Sequence, residues 1–439
     1  MNMESEIDRV FALQQAHQWH LRASTAEQRK DRLRRFREVL VKYEDEIREA
    51  LASDLGRPAE EPMTFELAVT LEDIDEAIEH LDEWMKPVPV QTSAPGGQAY
   101  MIYEPRGVVL VFGSWNFPIS LLLTPMVPMI AAGNCVIAKP NELTPASSAV
   151  AAKIIREAFD EREVAVFEGG VDIANALLER PFDHIFLTGS PAVGKIVMAA
   201  AAKHLASVTL ELGGKCPAIL DDSANFDTAV SEIGMGRMTN NGQTCLCVDY
   251  VALPESLRDQ FVEALENQWR DSFYDGETFM ADRNSRMVNS RNFSRVKGYI
   301  DDAVARGAKV DFGGNCDEEN LTIEPTILLD TPLDALVMQE EIFGPVLPIV
   351  TYRDISEVYT FIRKSGKPLG MNIFSERRDF IEDVLRNTSS GGVSVNGWAR
   401  NWPESHLPFG GINTSGTGRY HSIHGFRELS HERAVFEVI

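Results

Sequence analysis

The sequence predicts an α/β protein: a doubly wound parallel sheet, a second α/β domain and a small β-arm. Three observations predict it. Apolar strand-like runs alternate with helical runs from residue 108 onward. A stretch from Gly107 to Ala138 carries no charge, yet Gly and Pro cut it into strand, helix and strand. Polar or charged groups beside Gly or Pro recur just after the strands, where open parallel sheets bind ligands.

Taken in order, the first ninety residues read as helical. Ser24 and Glu27 have capping-box spacing. A helix over about 63–85 has the stripe Leu67, Leu71, Ile74, Ile78, Leu81, Met85, one buried face at steps of four and three. Ten acids and no Lys or Arg lie between Glu60 and Met85, which reads as a solvated outer face. Pro87 ends the helix, and 88–103 reads as a hairpin or an arm. The 107–138 stretch is long enough to cross a bilayer, but its breakers make it a βαβ unit covered on both faces. Pro118 is placed in the first helical turn and Gly133 at the helix end. Strands are expected at 108–112, 135–138, 164–167, 184–187 and 208–211, with helices at 145–159 and 191–205 between them. A second alternation begins near Gly213, with strands near 250–253, 323–329, 346–351 and 392–395. The tail 427–439 ends in the strand-like AVFEVI.

Composition bounds the function. The chain has 439 residues, 66 Asp and Glu against 42 Lys and Arg, and a net charge of -24. That excludes a protein that clamps a nucleic-acid backbone. The five cysteines are scattered and odd in number, so they form no disulfide framework. The acidic start MNMESEIDRVFAL is no secretory signal, and a cytoplasmic setting is expected.

The strand-end filter collects Ser114-Trp115-Asn116, Lys139-Pro140-Asn141-Glu142, Gly189-Ser190 with Gly194, and Glu211-Leu212-Gly213-Gly214-Lys215. Ser190 and Gly194 frame a helix start, which suits a phosphate or an ordinary cap equally. Lys139 suits a phosphate or a hydroxyl, or is a surface charge. Cys245 lies in the polar loop Asn240–Cys247, where an accessible thiol suits a nucleophile. The Cys245-Leu246-Cys247 pair lacks the second cluster a metal site needs, so no metal is expected.

Seven ordered stretches resemble the aldehyde dehydrogenase superfamily over almost the whole chain: SWNFP (114–118), KPNE (139–142), FLTGSPAVGK (186–195), ELGGK (211–215), NGQTC (241–245), MQEEIFGPV (338–346) and PFGG (408–411). SSGGV (389–393) and SHLPFGGINTSG (405–416) resemble the class 3 branch, whose members favour medium or long aliphatic and aromatic aldehydes. The resemblance implies roles. Cys245 matches the nucleophile, Asn116 an oxyanion donor and Glu211 the base that activates water. Trp115, Lys139, Glu142, Gly189, Ser190, Gly194, Glu341 and Phe343 match cofactor-binding positions. NAD is implied, with NADP as an alternative; Glu142 repels a 2′-phosphate. The family architecture implies a cofactor domain over 1–86 and 104–212, a catalytic domain over 213–412, and bridging strands at 87–103 and 427–439. It also implies a homodimer, or a tetramer. Trp115, Leu246, Trp398 and Trp402 are expected at the substrate entrance. Cys216 and Cys247 depart from the common pattern; Cys247 reads as small filler, with reversible oxidation with Cys245 as the alternative. Two rivals are a CoA-acylating relative and a non-catalytic, ligand-binding descendant.

Overall fold

The computed structural model describes residues 3–58, 63–93 and 96–438. Two sheets organise the molecule. The first has strand order Gly416–Thr417, Ser207–Glu211, His184–Thr188, Val108–Phe112, Cys135–Lys139, Val164–Val166. All its neighbours are parallel except Gly416–Thr417, which returns antiparallel against Leu210 and Glu211. The three strands inside the parallel run, His184–Thr188, Val108–Phe112 and Cys135–Lys139, are buried throughout because helices cover both faces. Val109 and Val111 face one core, and Val108, Leu110 and Phe112 the other.

The second sheet has seven strands. Pro217–Leu220, Tyr250–Pro254, Val346–Tyr352, Thr326–Leu329, Gly370–Phe374 and Gly392–Val395 are mutually parallel, and Lys309–Phe312 closes one edge antiparallel. Pro217–Leu220 and Gly370–Phe374 escaped the sequence reading, being short and buried without alternation. A third sheet joins the arm to the tail. Val88–Val90 pairs with Gly97–Pro105, which pairs antiparallel with Ser430–Val438 over nine residues. Ala94, Pro95 and Ile439, which belong to those readings, lie outside the described residues.

Local differences have physical reasons. The capping box sits one residue later than Ser24 and Glu27: Gln28 N–H donates to Thr25 Oγ1 at 3.3 Å, and Thr25 N–H to Gln28 Oε1 at 2.9 Å. Ser24 is buried and instead accepts from Arg29 Nε at 2.9 Å. Pro118 lies ahead of its helix, which runs Ser120–Ala132, and Gly133 closes it in the left-handed region at φ 89°. The stripe at 63–85 divides into a wide turn, Met63–Ala68, and a helix, Val69–Trp84. Most of its described acids are exposed as expected, but Glu66 and Asp73 are buried. Glu60 and Glu61 lie outside the described residues. Among the described residues, no helix is long and apolar enough to cross a membrane.

Candidate active site

The carboxyl ends of the first sheet face the loop 239–245 and the turn at 341–345. Asn240, Asn241 and Gly242 all have positive φ, at 49°, 54° and 73°. Asn tolerates that region better than other side chains, and a Cβ on Gly242 would lie 2.3 Å from Gly344 O. The Asn-Asn-Gly run thus reverses the chain tightly ahead of Cys245. Gln243 fixes the loop: its Nε2 donates to Asn240 O and Arg286 O, both at 3.1 Å, and its Oε1 accepts from Val288 N–H at 3.1 Å.

Asn116 is buried, and its Nδ2 donates to Gln243 O at 3.0 Å. That bond joins the loop after Val108–Phe112 to the loop of Cys245. Burial pushes the Cys245 thiol up to about 12, helped by the carboxyl groups of Glu341 and Glu211 and opposed by the backbone N–H groups of Cys245 and Leu246. Glu211 and the Cys245 N–H were assigned to Cys245 from sequence; Glu341 was assigned to the cofactor side, and the Leu246 N–H was not named.

Glu211 ends its strand inside the protein, 3% exposed, and neither carboxyl oxygen has a hydrogen-bond partner. Burial raises its proton affinity well above the usual carboxylate range; Arg419 opposes the shift and Glu428 adds to it. Glu341 Oε1 accepts from Gly214 N–H at 3.1 Å. A Cβ on Gly213 would lie 2.0 Å from the same oxygen, so the Gly-Gly pair of ELGGK makes room for this carboxyl group. Burial and Asp249 raise Glu341 to about 7.

The cofactor-side residues cluster along the same edge. The Trp115 and Phe343 rings meet edge to face, centroids 5.4 Å apart. Lys139 is buried, and its Nζ bonds Glu142 Oε2 at 2.5 Å. Ser190 caps the helix Pro191–Ala202, its side chain accepting from Val193 N–H at 3.4 Å. A Cβ on Gly189 would meet nothing nearer than Leu187 at 3.5 Å, which leaves the loop face open. Gly194 differs. Its N–H is used within the helix, on Ser190 O at 2.9 Å, and its missing side chain lets the helix approach Leu212.

Several contributors lay outside every motif reading. Arg295 donates to the carbonyls of Glu341, Ile342 and Phe343 at 3.3, 2.8 and 3.4 Å, which holds a turn whose Phe343 has φ 50°. Asp249 accepts from Ile342 N–H at 3.1 Å and pairs with Lys215 at 2.5 Å. Lys215 was visible only as the last letter of ELGGK. Tyr420 is buried near Glu211 and Cys245, which both raise its hydroxyl's proton affinity, and it stacks on His421 at 4.0 Å. Trp402 stands among Phe65 and His421, at 6.4 and 6.3 Å, whereas Trp398 is tucked in, bonding Leu246 O at 2.8 Å. Leu246 is itself buried. Cys247 is buried with its thiol donating to Gly236 O at 3.2 Å, and Cys216 donates to Cys245 O at 3.4 Å. No group of three or more His, Cys, Asp or Glu able to hold a metal occurs among the described residues.

The family model described as "Aldehyde dehydrogenase family" matches residues 2–435. AldX of Bacillus subtilis (strain 168) is 45% identical over 436 residues, covering 99% of this chain and 98% of that protein. Aldehyde dehydrogenase family 3 member F1 of Arabidopsis thaliana is 42% identical, covering 93% of this chain and 85% of its own length. The structure described as the substrate-bound state of Staphylococcus aureus AldH superposes with a TM-score of 0.94 at 36% identity, covering all of this chain and 94% of that one.

Proposed function

The chain belongs to the aldehyde dehydrogenase family and is an NAD(P)-dependent oxidoreductase acting on aldehydes, and from that premise we propose that it makes a free carboxylic acid through a thioester on Cys245. The observation that carries this reading is Glu211: a buried carboxyl group with both oxygens unpartnered, near enough for its charge to raise the proton affinity of the Cys245 thiol. A buried polar group left without partners is costly, and such groups concentrate where chemistry needs them.

The residues present fit a dinucleotide. Gly189 leaves its loop face open, Ser190 and the helix behind it favour a phosphate, and Lys139 with Glu142 supplies groups for a ribose. Glu341 and the rings of Trp115 and Phe343 flank the end nearest Cys245. When bound, NAD(P)+ accepts the hydride that leaves the substrate carbon.

The side chains divide the remaining work. The Cys245 thiol resists ionisation chiefly because it is buried, and the carboxyl groups of Glu341 and Glu211 add to the effect. Passing its proton to a carboxylate forms the thiolate and removes one opposing charge together. The sulfur then bonds to the aldehyde carbon, and the carbonyl oxygen becomes an oxyanion. Asn116 Nδ2 and the Cys245 N–H are the donors for it; one such donor typically contributes about 3 kcal/mol. Loss of hydride leaves the thioester. Glu211 takes a proton from water as its oxygen attacks the thioester carbon, and the acid departs with Cys245 restored.

Finer features belong to the same proposal. Phe65, Phe117, Trp402 and Tyr420 suit medium or long aliphatic or aromatic aldehydes. The cofactor and catalytic domains are divided as 1–86 with 104–212, and 213–412. The arm 87–103 and tail 427–439 build a homodimer; Phe436 and Val438, 51% and 85% exposed, suit that use. The compartment is the cytoplasm. The test is product analysis with an aldehyde series and NAD+ or NADP+. Free acid and reduced cofactor are expected, and Cys245→Ala abolishes both. Acyl-CoA in place of free acid when CoA is added, or full turnover by Cys245→Ala, overturns the reading.

A further inference from the structure

Arg57 and Glu66 form an ion pair with no exposed side-chain surface on either partner, Nη1 to Oε1 at 2.7 Å. Neither falls in a motif of the site. Gly56, left-handed at φ 64°, ends the helix Glu44–Leu55 and turns the chain inward at Arg57. There the guanidinium lies 4.4 Å over the Phe117 ring, donates through Nη2 to Asn116 O, and donates through Nε to Asn240 Oδ1 at 3.3 Å. Asn240 Nδ2 donates to the same Asn116 carbonyl at 2.8 Å. Glu66 Oε2 accepts from Ile119 N–H at 3.1 Å and Ser120 N–H at 2.7 Å, the free amides where the helix Ser120–Ala132 begins.

One buried pair therefore ties both loops that carry the oxyanion donors, 114–119 and 240–245. Stability alone is a poor reason to keep it. Burying two charges costs desolvation, and an apolar pair of similar volume is often as stable or more so. An apolar pair has no donors for Asn116 O and Asn240 Oδ1. We infer that Arg57, oriented by Glu66, is the positioning residue of the oxyanion site and sets the aim of Asn116 Nδ2 through the backbone carbonyl of Asn116. This rests on the thioester reading above.

The test uses the full-length enzyme and p-nitrophenyl acetate without cofactor. That ester acylates a thiol through a tetrahedral oxyanion but transfers no hydride. Asn116→Ala alone is expected to slow the acylation burst roughly 100-fold, as for loss of one oxyanion donor. The Arg57→Met/Glu66→Met double variant is expected to slow it about tenfold or more with little change in KM. It stays folded at the assay temperature by circular dichroism, at some loss of melting temperature because buried backbone groups lose partners, and its rate of Cys245 alkylation by iodoacetamide stays near that of the parent. Adding Asn116→Ala to that background then costs under about threefold, because the donor is already misaimed. Arg57→Lys, which keeps the charge but lacks the fork, restores part of the rate; should the apolar pair fail to fold, it carries the same cycle. A parent-like burst in the folded double variant, or the full cost of Asn116→Ala on top of it, overturns the inference. A burst unaffected by Cys245→Ala overturns the thioester reading instead.

Discussion

Glu66 and Glu211 are both buried glutamates, and they could hardly be treated more differently. Glu66 meets Arg57 and two backbone N–H groups, so both oxygens are satisfied. Glu211 meets nothing within hydrogen-bond reach among the described residues, and Arg419, the cation that opposes its raised proton affinity, spends one guanidinium nitrogen on the carbonyls of Gly411 and Gly418 at 2.7 and 2.6 Å. The first carboxylate joins elements far apart in sequence. The second holds a reactive group in a place that costs the fold stability. Burial alone therefore does not distinguish architecture from chemistry; the count of partners does.

The largest effect that tests this contrast is chemical. Glu211→Gln keeps the shape and removes the base. Acyl-enzyme is then expected to accumulate on Cys245, with steady-state turnover lowered about 10²–10⁴-fold, the usual range for a general base. Single-turnover cofactor reduction should fall far less, because it precedes hydrolysis. Rapid-mix kinetics with intact-protein mass spectrometry separates the two. Equal loss in both phases would assign Glu211 to the first half of the reaction. Turnover of the parent enzyme should also rise with pH, since the base acts only once ionised and its proton affinity is raised. The variant should lack that limb.

The same contrast explains what the sequence made legible. Glu211, Cys245 and Asn116 stand beside turn residues, and turn chemistry is local: the left-handed Asn240-Asn241-Gly242 run and the Gly213-Gly214 pair are visible as letters. The alternation of strand and helix was also accessible, because apolar runs between turn residues are local signals, whereas the order of the strands in each sheet was not read. Arg57, Glu66, Asp249 and Arg295 were not visible. Arg57 and Glu66 are only nine residues apart, but the backbone groups that the four side chains hold lie dozens of residues away, and a buried ion pair has no periodicity to betray it. Glu66 was even hidden by its surroundings, since it sits in an acidic run that is otherwise mostly exposed. The capping box slipped by one residue because Ser24-Thr25 and Glu27-Gln28 offer two registers of the same chemistry, and Ser24 was claimed by Arg29.

A smaller effect is thermodynamic. The folded protein holds the Glu211 proton more tightly than the unfolded chain does. Below the ordinary glutamate range both states are protonated and the difference vanishes. As pH rises from that range through the raised value, the unfolded chain releases its proton first and stability is lost. Each tenfold difference in proton affinity is about 1.4 kcal/mol. Glu211→Gln carries no proton to lose, so its melting temperature should match the parent near pH 4 and exceed it progressively toward pH 9. Calorimetry across that range checks it. A gap that is constant with pH would mean that Glu211 is ionised with a partner, as Glu66 is.

The smallest effect concerns a third carboxylate, which is neither buried nor unpartnered. Glu142 is 38% exposed at its side chain and bonds Lys139 at 2.5 Å. Water screens it, so its charge should act weakly. A carboxylate about 4 Å from a 2′-phosphate costs on the order of 1 kcal/mol in surroundings close to water. Glu142→Gln is therefore expected to raise kcat/KM with NADP+ about fivefold while leaving NAD+ within about twofold. Added salt should shrink the gain, because exposed charges are screened within about 10 Å at 0.1 M. Both follow from competitive kinetics at two ionic strengths. A gain of a hundredfold, or one indifferent to salt, would move Glu142 from the exposed class to the buried one, and would mean that the 2′ position is read in a dry pocket rather than at the rim.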